Sequence, residues 1–187
     1  VIPKISSVKE LQRAEKMLST TSVASRIVVG IETVRGLMSA QEILSSNSVI
    51  AAYFGAEDYI ADLGGIRTVN NEEVLFARSQ MGVLGRLAGI PVIDQIVADF
   101  SDTERFTREA VQARSLGFAG KLCIHPSQVT LANESFSPRE EEVTRAKELL
   151  SAYENAVSQG SASIVFDGQM IDEALAKQAR RILELSD

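Results

Sequence analysis

A short apolar run that stops at acidic residues is the feature that most constrains the fold of this chain. Residues 49–54, VIAAYF, contain no charged side chain, and the letters GAED follow them and end at Asp58. An unbroken apolar run is typical of a strand in a parallel sheet that helices cover. A second run, residues 27–31, stops directly at Glu32. Each of these two strands ends at an acid, so together Glu32 and Asp58 could hold a hard cation such as Mg²⁺.

The order of apolar runs and amphipathic segments predicts an α/β fold built from successive βα units. In a (β/α)₈ barrel the carboxyl ends of the strands form the active-site face, and polar residues stand at these ends here. A Rossmann sheet is the alternative, but no G-x-G-x-x-G motif follows any of the runs. We therefore predict a TIM (β/α)₈ barrel, of which residues 1–136 supply strands 4–8. The five predicted strands are residues 1–5, 27–31, 49–54, 91–93 and 120–124.

Five strands cannot close an eight-stranded barrel, so we expect that further strands precede Val1 in the natural protein. Residues 137–187 show a different pattern and are predicted to form a helical extension. Its first helix is expected to begin at Ser137-Pro138, with Ser137 as the N-cap. The extension also carries a loop with the letters GQMID, which end at Asp172. The stretch from Gly55 to Gly65 is predicted to be a long loop.

Charge and cysteine content exclude several classes of protein. The formal net charge is −6 and the pI about 5.0, which argues against nucleic acid as the main partner. The chain has one cysteine, Cys123, so no disulfide can form within it, and we expect a reducing, cytoplasmic location. No apolar run approaches the roughly 20 residues of a membrane span. Cys123 itself lies between Leu122 and Ile124 and is expected in the core.

Several stretches, in this order, resemble motifs of the citrate lyase beta subunit family. That family includes malyl-CoA and citramalyl-CoA lyases and belongs to the HpcH/HpaI aldolase superfamily. The resemblance implies a TIM barrel that assembles as a trimer or hexamer. It also implies Mg²⁺-dependent cleavage of a 3-hydroxy acyl thioester to a 2-oxo acid, such as oxaloacetate, and an acyl thioester. The stretches are GIETVRG, FGAEDYIADLGG, ARSQ, GIPVID, LGFAGKLCIHPSQV and FDGQMIDEA.

The resemblance also assigns roles to individual residues. Glu32 of GIET and Asp58 of GAED match the family's metal ligands, and Asp172 of GQMID matches its general base. Three residues at or near the same predicted rim, His125, Lys121 and Asp94, are candidate substrate contacts. No stretch of this chain matches the acidic motif and the arginine that the family carries on its first three strands.

Each candidate also has a structural interpretation that the sequence leaves open. Glu32 could be an acid in the first turn of the following helix, and Asp58 could be an N-cap or turn residue. Asp172 could be the N-cap of the last helix. His125 could be structural. The neighbouring Glu57 is expected to form a salt bridge instead of binding metal.

The implied reaction explains why such residues are needed. Retro-Claisen cleavage requires a base for the hydroxyl proton and stabilisation of the enolate that leaves. We expect CoA or an acyl carrier protein as the thioester carrier, with further lyase-complex subunits as possible partners. One alternative is a pyruvate-type aldolase that acts on free 2-oxo acids. Another is a non-catalytic paralogue that only binds such ligands.

Overall fold

The structure is a computed structural model that describes residues 1–20 and 25–186. The chain divides into two compact units, Val1–Phe136 and Ser137–Asp187. The first unit contains α1 (Val8–Ser19), β1 (Ile27–Ile31), α2 (Val34–Leu44), β2 (Val49–Phe54), α3 (Ala56–Leu63), α4 (Glu72–Ala88), β3 (Val92–Asp94), α5 (Thr103–Ser115), β4 (Gly120–Lys121) and α6 (Ser127–Phe136). The second contains α7 (Glu140–Ser158), β5 (Ile164–Phe166), β6 (Gln169–Ile171) and α8 (Glu173–Glu184).

The first unit is an α/β layer structure around a parallel sheet. Its strands stand in the order β1-β2-β3-β4, and each neighbouring pair is parallel. The predicted bounds of β1 and β2 are confirmed, because these two apolar runs are the longest strands of the sheet. The helix between them begins after Thr33, whose hydroxyl accepts a hydrogen bond from the Gly36 N–H at 2.9 Å.

The two faces of the sheet have different neighbours. Val29, Ala52 and Val92 lie on the face that α2 and α4 cover, which we call the helix-covered face, and all three are buried. Because successive side chains of a strand alternate, the next residue of each strand, such as Tyr53 or Ile93, points to the opposite face. Asp94 and its register partner Lys121 return to the helix-covered face. This alternation decides which polar residues can meet at the edge of the sheet.

Several predicted boundaries are wrong. The loop expected after β2 contains a helix, α3, which Gly55 precedes as N-cap and Gly64 ends in a left-handed conformation (φ 78°). The strand expected over residues 1–5 is reduced to one parallel bridge between Ile2 and Val29. The strand expected over residues 120–124 ends at Lys121, because the chain leaves the ladder and begins α6 at Ser127.

The second unit packs two helices around a hairpin. Residues of α7 and α8 form a core of their own together with Ile171 of β6. Strands β5 and β6 are antiparallel and are joined by Asp167 and Gly168, both with positive φ, as a tight hairpin turn requires. The predicted N-cap Ser137 is wrong, since Arg139 is the residue that precedes α7. The GQMID stretch is thus strand β6 followed by Asp172, and not a loop.

Within the ranges 1–20 and 25–186, none of the helices is both long and apolar enough to cross a membrane.

Candidate metal centre

The structure brings Glu32 and Asp58 together at the carboxyl ends of two neighbouring strands. Glu32 follows β1 directly, and Asp58 lies in the first turn of α3, four residues after Phe54, the last residue of β2. Glu32 is 5% exposed, whereas the side chain of Asp58 is 49% exposed. Burial and the hydrogen-bonded Asp58 carboxyl raise the pKa of Glu32. The two carboxyl groups are therefore close enough to interact directly.

Lys4 supplies a positive charge at this pair. Its ammonium lies 3.1 Å from the Asp58 carboxylate and, with a hydrogen bond, holds the pKa of Asp58 below its usual range. The same ammonium opposes the rise in the pKa of Glu32. Two facing carboxylates, one of them paired with the Lys4 ammonium, form an anionic site. Mg²⁺ needs only one or two protein carboxylates, so the residues present fit such an ion.

Neither the first-turn position expected as an alternative for Glu32 nor the N-cap position expected for Asp58 is found. Glu32 stands before the N-cap Thr33, so it is not in the first turn of α2. The N-cap of α3 is Gly55, so Asp58 does not cap that helix. The part of the chain that the structure describes contains no group of three or more His, Cys, Asp or Glu side chains that could hold a metal ion. The pair is therefore a candidate for a metal that keeps most of its ligands as water or substrate oxygens.

Tyr53 is a site residue that sequence reasoning missed. Its hydroxyl donates a hydrogen bond to the Glu32 carboxylate, and burial together with Glu32 raises the pKa of the phenol. The contact is possible because Gly30, the register partner of Tyr53, has no side chain. A Cβ at Gly30 would collide with the phenol ring and the Glu32 carboxylate. A glycine inside an apolar strand was the signal that a close approach occurs there.

Asp62 holds α3 in place. Its carboxylate accepts a hydrogen bond from the Val34 N–H, at 2.8 Å, at the first turn of α2. The amino end of a helix favours a carboxylate because its N–H groups lack partners within the helix. The bond connects α3 to the strand–helix junction that carries Glu32, and so it helps to set the distance between Glu32 and Asp58.

Asp94 and Lys121 lie in a buried ion cluster, which we define as Arg78, Asp94, Glu109 and Lys121. Arg78 donates two hydrogen bonds to Asp94, both at 2.9 Å. The Lys121 ammonium lies 2.9 Å from Asp94 and 3.1 Å from Glu109. All four side chains are 2% exposed or less. Both candidates face the helices in this structure, and their contact with substrate stays a prediction.

A chain of polar contacts connects the cluster to the loop before α4. The amide of Gln95 donates to Glu109 at 3.2 Å and to Asn71 at 2.9 Å. Asn71 also accepts a hydrogen bond from Arg67, at 3.0 Å. Arg67 pairs in turn with Glu57 at 2.9 Å, so the predicted salt bridge of Glu57 is confirmed. Glu57 precedes Asp58, and this network therefore reaches the backbone that carries the second carboxylate.

The cluster predicts a specific loss of stability in acid. Burial alone would raise the pKa of Glu109, but Lys121, Asn71 and Arg105 lower it to about 2. A lowered pKa contributes stability above the unfolded value of 4.5 that is lost as the pH falls towards about 2. We expect Glu109→Gln to remove at most about 3 kcal/mol at neutral pH and to flatten the acid loss across this window. Urea unfolding at a series of pH values measures this.

The matched control is Glu104→Gln, which removes an exposed carboxylate from the same helix. It should leave the pH dependence of unfolding unchanged. If Glu109→Gln also keeps the acid loss of the unmodified protein, the cluster does not hold Glu109 ionised.

His125 and Cys123 lie beyond the end of β4. The Nδ1 atom of His125 accepts the Ser127 N–H at 3.2 Å, so Nε2 is the ring nitrogen that would contact a ligand. The ring stacks on Phe100 at a centroid distance of 4.5 Å. Cys123 is exposed, so its predicted core position is wrong. The reason is that the ladder stops at Lys121, and the following residues have left the sheet.

Asp172 belongs to the second unit. Its carboxylate accepts hydrogen bonds from the N–H groups of Ala174 and Leu175, at 3.0 and 3.2 Å. The interpretation as the N-cap of the last helix is therefore confirmed. A capping carboxylate is held in one orientation, and its second oxygen can still accept a proton. The role of general base stays a prediction.

Comparison with known proteins identifies the family. The family model described as HpcH/HpaI aldolase/citrate lyase matches residues 1–126. A citrate lyase subunit beta-like protein from Deinococcus radiodurans is 44% identical over 183 residues, which are 98% of this chain and 64% of that protein. The mitochondrial citramalyl-CoA lyase of Rattus norvegicus is 28% identical, over 100% of this chain and 60% of that enzyme.

A solved structure agrees with this result. The crystal structure of CitE from Mycobacterium tuberculosis, in complex with magnesium, acetoacetate and coenzyme A, is similar with a TM-score of 0.82 and 26% identity. The match covers 98% of this chain and 66% of that protein. The chain thus spans about three fifths to two thirds of the length of these proteins. The resemblance of its motifs is confirmed, and the chain belongs to the HpcH/HpaI aldolase/citrate lyase family.

Proposed function

We propose that the protein is a Mg²⁺-dependent carbon–carbon lyase that cleaves a 3-hydroxy acyl thioester into a 2-oxo acid and an acyl thioester. The observation that carries the proposal is the facing pair Glu32 and Asp58, with the Lys4 ammonium against it, at the carboxyl ends of β1 and β2. Family membership supports it, and so does the CitE structure, which contains magnesium and coenzyme A together.

The residues divide the chemistry between them. Glu32 and Asp58 hold the ion, and Tyr53 fixes the Glu32 carboxylate by its hydrogen bond. When bound, Mg²⁺ acidifies the substrate hydroxyl and orients the bond to be broken. Asp172 takes the hydroxyl proton as the carbinol carbon becomes a ketone, and the electron pair of the broken bond passes to the thioester fragment as an enolate. Keeping the base separate from the metal ligands leaves Asp172 able to accept a proton.

The finer architecture also belongs to the proposal. We infer that β1–β4, with the bridged segment at Ile2, are the latter strands of a (β/α)₈ barrel, followed by a separate extension at 137–187 that carries Asp172. His125 is proposed to contact the substrate, whereas Lys121 and Asp94, which are buried against the helices, are proposed to support the substrate side of the site from below. A homotrimer or hexamer, a CoA or acyl carrier protein thioester and a cytoplasmic location complete the proposal.

Metal binding provides the first test. Glu32→Gln and Asp58→Asn should each lower the affinity for Mg²⁺ by about a hundredfold or more in titration calorimetry, since each removes half of a two-carboxylate site. Glu57→Gln is the matched control, because it removes an equal charge next to Asp58 from a residue that pairs with Arg67. Equal losses in all three variants would show that local charge, and not a defined site, attracts the ion.

Turnover distinguishes the proposed reaction from its alternatives. The protein should cleave malyl-, citramalyl- or citryl-CoA, and EDTA should stop the reaction. Cleavage of free 4-hydroxy-2-oxo acids without cleavage of CoA esters would instead favour an aldolase. Binding of oxaloacetate and CoA esters without any turnover would favour a non-catalytic paralogue.

A further inference from the structure

Lys4 has an unusual backbone for a non-glycine residue. Its φ is 52°, in the left-handed region that side chains with a Cβ seldom adopt. Residues on both sides are fastened to β1: the Ile2 N–H donates to Val28 at 2.8 Å and the Ile5 N–H to Gly30 at 3.1 Å. The segment therefore holds Lys4 at the carboxyl end of β1. A non-glycine residue kept in such a conformation is a reason to look for a function.

The ion pair that Lys4 forms is more exposed than a structural role would require. Its ammonium pairs with Asp58, and the side chains are 57% and 49% exposed. An ion pair this exposed contributes little to stability and can open at low cost. This weak ion pair therefore does not account for the left-handed backbone conformation of Lys4, whereas a role at the metal centre does.

The charges at the site suggest what that role is. Glu32, Asp58 and Lys4 sum to −1 when the carboxylates are ionised, and a divalent cation changes the sum to +1. One substrate carboxylate then makes the site neutral. A cation bound between the carboxylates repels the ammonium. It also neutralises the Asp58 charge that had attracted the ammonium. The released ammonium is on a flexible four-carbon stem and can turn to an anionic oxygen.

We propose that Lys4 is an internal counter-cation that the metal displaces from Asp58 and that then binds a carboxylate or carbonyl oxygen of the anionic substrate. This inference rests on the proposed metal centre and adds to it a ligand-binding residue. Lys4 makes metal and substrate binding depend on each other. It weakens the binding of the ion alone and strengthens the binding of the anion once the ion is present.

The test is a pair of calorimetric titrations on the full chain, with Mg²⁺ alone and with acetoacetate at saturating Mg²⁺. For Lys4→Gln we expect Mg²⁺ to bind about tenfold more tightly and acetoacetate about tenfold more weakly. Lys4→Arg keeps the charge and should restore both values. Lys9→Gln removes an exposed lysine from α1 and should change neither.

A substitution that merely damaged the site would weaken the binding of both ligands, so opposite changes in the two affinities identify the proposed role of Lys4. If Lys4→Gln weakens both ligands, or changes neither, the inference is wrong. If the unmodified protein does not bind Mg²⁺, the proposed metal centre is wrong, and the inference about Lys4 is wrong with it. If Lys4→Gln tightens Mg²⁺ and leaves acetoacetate unchanged, Lys4 does not bind the substrate and the inference is overturned.

Discussion

Arg78→Met should lower the free energy of unfolding by about 3–5 kcal/mol, because removing one partner of a buried ion pair leaves the other charge without compensation. Arg78 is completely buried, and Asp94 accepts two of its hydrogen bonds. The guanidinium also donates to Gln112 at 2.5 Å. Methionine fills similar space but can offer none of these donors. Lys121 is then the only member of the cluster that can neutralise Asp94, and it is already shared with Glu109.

Urea unfolding followed by circular dichroism measures this loss. Arg86→Met is the matched control, since Arg86 is exposed on the same helix and should change stability by less than about 0.5 kcal/mol. If Arg78→Met and Arg86→Met unfold at the same urea concentration, the buried ion cluster does not contribute to stability as we describe. The cluster also connects through Gln95 and Asn71 to the loop before α4.

Asp172→Asn should lower turnover by about 10²–10⁴-fold and leave stability unchanged, because the two roles of this carboxylate can be separated. Asparagine accepts hydrogen bonds from the first turn of a helix as well as aspartate does, so the cap on Ala174 and Leu175 remains. Its amide cannot accept the hydroxyl proton of the substrate. The initial rate of thioester cleavage at saturating Mg²⁺, together with thermal unfolding, measures the two effects.

Asp172→Ala is the companion variant. Its turnover should fall by the same factor, and its free energy of unfolding should fall by about 1 kcal/mol because the cap is missing. If Asp172→Asn keeps more than about a tenth of the turnover, another group is the base, and Asp172 only caps α8. Mg²⁺ affinity should be the same in both variants, because neither changes Glu32 or Asp58.

The sequence predicted well where one local rule decides the structure. Residues 27–31 and 49–54 are continuous apolar runs, and both became strands of a parallel sheet with the predicted bounds. Because carboxyl ends of parallel strands meet at one edge, the acids that follow them came together, as expected for Glu32 and Asp58. Prediction was poorer where strands were short: the bridge at Ile2 and the two residues of β4 have few ladder bonds.

The stretch after β2 shows why glycine content misled the prediction. Gly55, Gly64 and Gly65 suggested a loop. Instead, Gly55 is the N-cap and Gly64 the C-cap of α3. What stabilises α3 is its contact with the rest of the unit. Tyr59 and Ile60 are buried, and Asp62 accepts a hydrogen bond from the N–H of Val34, which is 28 positions away. A contact over that separation leaves no local pattern.

By itself, the sequence determined the α/β class with a parallel sheet, the family and the two carboxylates at neighbouring strand ends, because periodicity and strand direction are local or additive properties. Only the tertiary structure decided which charges meet. Lys4 reaches Asp58, Tyr53 reaches Glu32 across Gly30, and Lys121 and Asp94 turn towards the helices into a buried ion cluster. Partners separated by 12 to 27 positions in that cluster are selected by the packing of α4 and α5 on the sheet. A charge inside that packing is stable only where an opposite charge is already in place.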